Sequence, residues 1–167
     1  MDEDLMLNDA VRFLDLDEEE KISEDEYLEM YNAIGAALEV YNTLGRGMEE
    51  PIYQEALGIE FRKQQIPATP QAPLRTWYKD VLMDKIYYAD FIVGDSVVVE
   101  LKSVSRVISE HRSQLFNYMR ITKHRRGILV NYGDSSFYAE RYLYIPSIDD
   151  FVMLRKQNLQ CFIKRKQ

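Results

Sequence analysis

Residues 87–102 read YYADFIVGDSVVVELK, and this stretch decides the fold. Two runs rich in apolar, β-branched and aromatic residues flank the turn signal Gly94-Asp95, which predicts an antiparallel hairpin. Each run is interrupted by an acid, Asp90 in the first and Glu100 in the second. Lys102 follows Glu100 by two residues, so both side chains lie on the same face of their strand.

The length of the hairpin loop determines whether the two acids meet. With a two-residue loop, position 90 pairs with position 99, and Asp90 faces away from Glu100. With a three-residue loop, 94–96, or with a bulge, position 90 lies opposite position 100 and the two carboxylates share one face. We predict the second register.

Two carboxylates at cross-strand distance repel each other unless a positive charge lies between them. Mg²⁺ prefers oxygen ligands and retains some of its waters, so it fits that requirement. The chain has one cysteine and two histidines, too few for a Cys-based or His-rich zinc centre. The alternative for Glu100 and Lys102 is a simple ion pair at a strand end, without catalysis.

The hairpin lies within an α/β pattern. Ser23 and Glu26 form a capping-box signature before a helix predicted at 24–43, and Pro51 opens a second helix to about 65. A weaker helix is indicated at 5–14. The remaining predictions are strands at 74–78, 86–93 and 97–101, a helix at 108–124, and strands at 127–132 and 137–144. The tail beyond 145 is left unassigned, and the whole predicts an α/β sandwich around a mixed sheet.

The net charge of −7 divides unevenly along the chain. Residues 1–29 hold 13 acidic and 2 basic residues, a balance of −11, and the remaining residues have a balance of +4. The mildly basic body therefore permits a nucleic-acid partner. Acidic runs are usually solvated segments; the alternative is that this one covers a basic cleft or contacts a protein partner.

Composition and termini exclude several classes of protein. Hydrophobic residues make up 46% and charged residues 29% of the chain, which excludes collagen-like and wholly disordered proteins. The N-terminus lacks the basic-then-apolar order of a signal peptide, and no stretch approaches 18 uninterrupted apolar residues. We therefore expect a cytoplasmic protein with no membrane partner.

Asp90 followed by Glu100-x-Lys102 on the next strand resembles the PD-(D/E)xK nuclease superfamily. The wider pattern is similar to its branch of small proteins named for a GxxExxR motif. Ala89 stands where the superfamily's name has proline, and Pro51, directly after Glu50, is a second departure. The segments that carry the resemblance are Ile34–Val40, Leu44–Gly47, Glu50–Leu57, Tyr88–Phe91, Val99–Lys102, His111–Tyr118 and Gly127–Gly133.

The resemblance implies a restriction-endonuclease-like sandwich, in which helices flank a mixed central sheet with an αβββαβ core. Residues 1–25 and the tail beyond 145 lie outside the resemblance. We expect residues 1–25 to be an acidic N-terminal segment with a helical extension, and residues 26–167 to be the nuclease-like domain. The implied activity is metal-dependent cleavage of phosphodiester bonds.

The resemblance also implies roles for the residues of the hairpin. Asp90 and Glu100 would hold Mg²⁺ or Mn²⁺ together with the Leu101 carbonyl. Lys102 would orient the attacking water or help to deprotonate it.

Two helices supply further candidates. Glu50 starts a helix whose Glu50, Tyr53 and Leu57 share one face, so its carboxylate could reach the metal or a bridging water. A carboxylate near a helix N-terminus is also favoured without any catalytic role. The family's glutamine at the corresponding position lines the site, so we expect Gln114 to position a water or a phosphate.

We expect substrate contacts from Arg46, Tyr53, His111, Arg112 and Tyr118. A lone histidine is often a surface or packing residue, Tyr118 also fits a core position, and Tyr53 fits either. Twelve tyrosines and one tryptophan could stack on unpaired bases, although aromatics at these spacings are typical of a core.

These observations leave three hypotheses. The first is a metal-dependent nuclease that acts on nucleic acid, with DNA favoured over RNA. The second is a nuclease-fold protein that no longer cuts and acts as a binding or regulatory module; its intact charged residues argue against this, because unpaired buried charge is costly. The third is a structural module with a salt-bridge network. A homodimer is left open.

Overall fold

The computed structural model describes residues 16–166, so the helix expected at 5–14 falls outside the described residues. The described chain contains a mixed β-sheet and the helices that cover it. Its main elements are α1 (Glu24–Leu44), α2 (Glu50–Lys63), β1 (Ala68–Tyr78), β2 (Val81–Val93), β3 (Val97–Lys102), α3 (Ser109–Thr122), β4 (Arg126–Asn131), β5 (Tyr138–Ile145) and β6 (Asp150–Met153).

The ends of the two N-terminal helices follow from local chemistry. Ser23 Oγ accepts a hydrogen bond from the Glu26 N–H (3.1 Å), and Glu26 Oε2 accepts one from the Ser23 N–H (2.7 Å), so the predicted capping box is confirmed. α1 ends at Leu44 and is followed by Gly45, whose φ of 73° suits glycine. Pro51 lies in the first turn of α2, where its missing N–H costs nothing.

The six strands lie in the sheet in chain order, β1 to β6. β3 and β4 are parallel and the other neighbouring pairs are antiparallel, so α3 is the crossover that joins the parallel pair. One apolar cluster packs α1 and α2 on one face of the sheet, and a second packs α3 on the other face. The predicted mixed sheet flanked by helices is confirmed.

The register of the central hairpin is the predicted one. Val93 pairs with Val97, so the loop holds three residues, 94–96. The same register places Asp90 opposite Glu100.

Strands β1 and β2 are longer than predicted. β1 also includes Pro70 and Pro73, which are tolerated because β1 lies at the edge of the sheet. The unassigned tail contributes the short edge strand β6, which pairs with β5.

Part of the acidic segment packs against the body. Leu16 is 7% and Ile22 2% exposed. Ile22 forms a parallel bridge with Ile163 near the C-terminus, and Arg125 donates to the backbone carbonyls of Glu19 and Glu20. Leu16 and Ile22 are therefore packed against the body, whereas the acidic side chains between them, Asp17, Glu18 and Glu19, are exposed as expected of a solvated run.

These contacts lie far from the acids of the hairpin. Arg126, at the start of β4, pairs with Val97 at the start of β3, whereas Glu100 and Lys102 are at the other end of β3. Arg126 also bonds to Glu29 on α1 at 3.0 Å. The described part of the acidic segment therefore covers the opposite end of the sheet.

Among residues 16–166, no helix combines the length and the apolar character that crossing a bilayer requires.

Candidate active site

The pairing between β2 and β3 runs from Val93 with Val97 to Phe91 with Val99 and stops before Asp90 and Glu100. We call the gap between the strands at Asp90 the opening of the ladder. There the Asp90 N–H donates to Glu100 Oε1 (3.0 Å), and the Leu101 N–H donates to Asp90 Oδ2 (2.8 Å). On the other side of β2, the ladder with β1 skips the pair between Asp90 and Gln71, whose φ is 46°. The two carboxyl groups thus take the place of backbone carbonyls as hydrogen-bond acceptors, and these bonds hold them at the opening.

Burial raises the pKa of both carboxyl groups. Burial, together with the neighbouring charge of Asp90, raises the pKa of Glu100 to about 9. Burial also raises the pKa of Asp90, against the hydrogen bond from Leu101 and the charge of Lys102, which lower it. Burial and mutual repulsion disfavour the doubly ionised pair, so a proton or a cation shared between the two carboxyl groups is favoured.

Lys102 is held by a chain of hydrogen bonds from α3. Its Nζ donates to Gln114 Oε1 (2.7 Å), and Gln114 Nε2 donates to the Tyr118 hydroxyl (3.1 Å). Gln114 and Tyr118 are one helical turn apart, so the helix presents both groups on one face. The bond to Tyr118 fixes which end of the amide faces the lysine.

Glu50 reaches the same end of the sheet from the opposite helix layer. Burial raises the pKa of Glu50, while the charge of Lys102 lowers it and the charge of Asp90 raises it. One turn further along α2, Gln54 Nε2 donates to the Asp90 carbonyl (3.4 Å). The sequence analysis missed Gln54, because a lone glutamine on a helix carries no motif.

Tyr53 is a correction to the predicted substrate contacts. Its side chain is 0% exposed, and its hydroxyl donates to the Gly45 carbonyl (2.7 Å) and accepts from the Met48 N–H (3.1 Å). Its ring stacks on Tyr132 at 4.1 Å between centroids. Tyr53 therefore holds the loop between α1 and α2 and is closed off from a substrate.

The other predicted substrate contacts have different surroundings. Arg46 is exposed on the loop between α1 and α2. His111 Nδ1 accepts from the Ile108 N–H (3.1 Å), which satisfies a donor at the start of α3. Tyr118 is 7% exposed and, besides bonding Gln114, packs in the core beneath α3.

Arg112 is engaged in a buried polar network. It donates to the Glu140 carboxylate from Nε (2.8 Å) and Nη2 (2.9 Å). The hydroxyls of Tyr138 and Tyr142 donate to the same carboxylate, which is almost fully buried. Arg112 thus ties α3 to β5, and we leave it out of the proposed substrate contacts.

Asn131 supports the loop that follows Lys102, a role that the sequence analysis missed. Its Nδ2 donates to the Val104 carbonyl (2.8 Å), and its Oδ1 accepts from the Val104 N–H (3.0 Å). At Gly133 an added Cβ would lie 2.3 Å from the Val104 nitrogen, so only glycine allows this close approach. The signal available in the sequence was a polar residue at the end of an apolar strand.

The donors at the opening fit the predicted divalent cation. Within residues 16–166, no three His, Cys, Asp or Glu side chains are grouped to hold a metal by themselves. The Lys102 carbonyl accepts from the Tyr132 N–H toward β4 (2.8 Å), so backbone alternation turns the Leu101 carbonyl toward β2 and the opening. Two carboxylates and one carbonyl, completed by water or phosphate oxygens, suit Mg²⁺.

The comparison with known families agrees with this geometry. A family model described as the PD-(D/E)XK nuclease superfamily matches residues 28–142, from α1 into β5. No curated protein and no solved structure matches the chain. The match covers every element that contributes to the opening and does not single out the GxxExxR branch. The chain therefore belongs to the PD-(D/E)XK nuclease superfamily.

Proposed function

We propose that the protein is a metal-dependent nuclease that hydrolyses phosphodiester bonds of nucleic acid, with DNA as the favoured substrate. One observation carries the proposal: Asp90 and Glu100 meet at the opening of the β2–β3 ladder, where each carboxyl group accepts a backbone N–H of the opposite strand. Membership of the nuclease superfamily supports it.

Asp90, Glu100 and the Leu101 carbonyl would hold Mg²⁺ or Mn²⁺. When bound there, such a cation supplies Lewis acidity, which lowers the pKa of a water and offsets negative charge on the phosphate. Glu50 does not complete a three-carboxylate group with them, so we assign it to the metal's surroundings, through a bridging water.

Lys102 would donate hydrogen bonds to the attacking water or to a phosphate oxygen, where negative charge grows during the reaction. Gln114 positions Lys102 through its amide oxygen, and Tyr118 fixes that amide. His111 and Arg46 stay predicted substrate contacts; of the two, Arg46 is exposed on a loop beside Glu50.

The direct test is cleavage of single- and double-stranded DNA and RNA with Mg²⁺ or Mn²⁺. Asp90→Asn and Lys102→Ala should each lower the cleavage rate at least about a hundredfold, because the first removes a carboxylate that would hold the cation and the second removes the ammonium group that would bond the water or the phosphate. Lys63→Ala is the matched control, since Lys63 is exposed at the far end of α2.

Equal cleavage by the wild type and both variants would show that the activity comes from a contaminant, and the proposal would fail. Tight binding of nucleic acid by the wild type without any cleavage would favour the catalytically silent binding module instead.

A further inference from the structure

The outer part of the β1–β2 ribbon, residues 75–88, extends beyond the rest of the sheet. β3 pairs with β2 only over residues 91–93 of β2, whereas β1 and β2 pair with each other out to Tyr78 and Val81. The free part of β2 is therefore on the order of 30 Å long at about 3.3 Å per residue. The ribbon leaves the sheet at Asp90, so a chain bound along it leads to the proposed catalytic centre.

The side chains of the outer ribbon are large, aromatic and exposed. Trp77 is 64%, Tyr78 66% and Tyr88 51% exposed. Several exposed aromatic side chains on one element are typical of a surface that contacts a partner. The expectation that aromatics at strand spacing belong to the core is wrong for these three.

Two lysines lie beside rings of the ribbon. Lys79 Nζ is 5.6 Å from the ring centroid of Tyr78, and Lys85 Nζ is 5.4 Å from that of Tyr87. A ring with an ammonium group next to it matches a nucleotide, because the base can stack on the ring while the phosphate pairs with the amine. An apolar surface of a partner protein could pack on the rings, but it would offer no negative charge to the two lysines.

Tyr87 connects the ribbon to the candidate active site. Its ring centroid is 5.9 Å from that of Tyr118, whose hydroxyl accepts from Gln114. Gln114 in turn accepts from Lys102. Tyr87 therefore joins one face of the ribbon to the catalytic residues, and Tyr88, the next residue of β2, lies on the opposite face.

We propose that the outer ribbon binds a single strand of nucleic acid by stacking unpaired bases on Trp77 and Tyr88 on one of its faces and on Tyr78 on the other, and directs that strand to Asp90. This deepens the proposed nuclease function, on which it rests, by naming unpaired strands as the substrate. The bases of a duplex are already stacked on each other, so a duplex offers no base face to these rings.

The chain provides its own probe, because Trp77 is its single tryptophan. We would titrate the full protein with single-stranded oligothymidylate in EDTA, so that no cleavage occurs, and follow tryptophan fluorescence. Saturable quenching is expected, and a duplex of the same length should quench less. Unchanged emission at concentrations where a labelled oligothymidylate is bound would overturn the proposal, as would equal quenching by the duplex.

Variants separate stacking from other effects. Trp77→Ala and Tyr88→Ala should each weaken single-strand binding, measured by fluorescence anisotropy of the labelled strand, about fivefold or more. Trp77→Phe should retain most of the affinity, because phenylalanine still offers a ring. Tyr31→Ala is the control, since Tyr31 is 56% exposed on α1, outside the ribbon. Equal affinity of the wild type and the two ribbon variants would contradict the proposal.

A second copy of the chain is the competing occupant. If the ribbon paired two copies, the protein alone would show a dimer mass that Trp77→Ala abolishes, and this result would overturn the proposal. The cleavage assay with Lys102→Ala tests the nuclease function separately. Quenching without cleavage would support the ribbon proposal alone, and cleavage that is insensitive to the ribbon variants would support the nuclease alone.

Discussion

At the scale of single residues, the candidate active site holds two carboxyl groups, of Asp90 and Glu100, that repel each other when both are ionised. Glu100 is 2% exposed and Asp90 is half-buried, and each carboxyl accepts a backbone N–H of the other strand. Those bonds hold the two groups together but do not neutralise them. The fold tolerates this repulsion because the opening of the ladder leaves room for a positive charge that both carboxylates can share.

Glu100→Gln should stabilise the metal-free protein, increasingly as the pH rises. Folding raises the pKa of Glu100 from 4.5 to about 9, so between these values the native state binds more protons than the unfolded state. The wild type therefore loses stability as the pH rises through this window, whereas glutamine does not titrate. Near pH 8 we expect a gain in unfolding free energy on the order of a few kcal/mol, measured by denaturant unfolding in EDTA.

Glu55→Gln is the control for this prediction, because Glu55 is exposed on α2. A Glu100→Gln protein with the same pH dependence as the wild type would show that the pair does not retain a proton.

At the scale of elements, α3 carries the groups that act on Lys102. Gln114 and Tyr118 project from one of its faces, and Arg112 bonds to Glu140 on β5. Because Glu140 is buried, removing Arg112 would leave an unpaired buried carboxylate and would lower the stability of the protein. The helix is thus fixed to the sheet close to the residues that it positions.

Tyr118→Phe should reduce cleavage about three- to tenfold, the effect of one hydrogen bond, because the Gln114 amide then turns freely and Lys102 loses its fixed partner. Single-strand affinity and the melting temperature should stay close to the wild-type values. The measurement is single-turnover cleavage beside thermal unfolding. A variant that loses stability but keeps its cleavage rate would place Tyr118 in the core alone.

At the scale of the whole molecule, the two ends of the described chain are joined by backbone hydrogen bonds, far from the candidate active site. The Ile22 N–H donates to the Phe162 carbonyl (2.9 Å), and the Lys164 N–H donates to the Ile22 carbonyl (2.8 Å). Ile22 is almost fully buried beside Phe162. We infer that residues 16–22 support stability and take no part in catalysis.

Ile22→Ala should cost about 2 to 5 kcal/mol of unfolding free energy, because it removes buried methyl groups and leaves a cavity. The cleavage rate well below the melting temperature should stay unchanged. Ile59→Ala, at an exposed position on α2, should change stability by no more than about 0.5 kcal/mol. A changed cleavage rate for Ile22→Ala would contradict the separation of the two ends of the sheet.

The sequence predicted the parts of the fold that local chemistry determines. The capping box at Ser23 follows from short-range rules. The loop at 94–96 was predicted over a two-residue loop as the register that places Asp90 opposite Glu100. The opening of the ladder was not, because it depends on the unusual backbone at Gln71 in a different strand.

Several side-chain roles depend on long-range contacts that a single sequence does not display. Tyr53 has the helix spacing of a site residue, yet its hydroxyl is used by the Gly45 loop. Arg112 pairs with an acid 28 positions away. Trp77 is exposed because it lies on the outer ribbon, beyond Ala72 and Leu74, the residues of β1 that pack in the core.

The most direct measurement is Mn²⁺ binding without substrate, by calorimetry near neutral pH, for the wild type and for Asp90→Asn combined with Glu100→Gln. The wild type should bind Mn²⁺ and release protons as it does so, because the cation displaces the proton that the pair retains. The double variant should bind at least about tenfold more weakly and release no proton. Equal Mn²⁺ binding by both proteins would show that Asp90 and Glu100 do not form the metal centre.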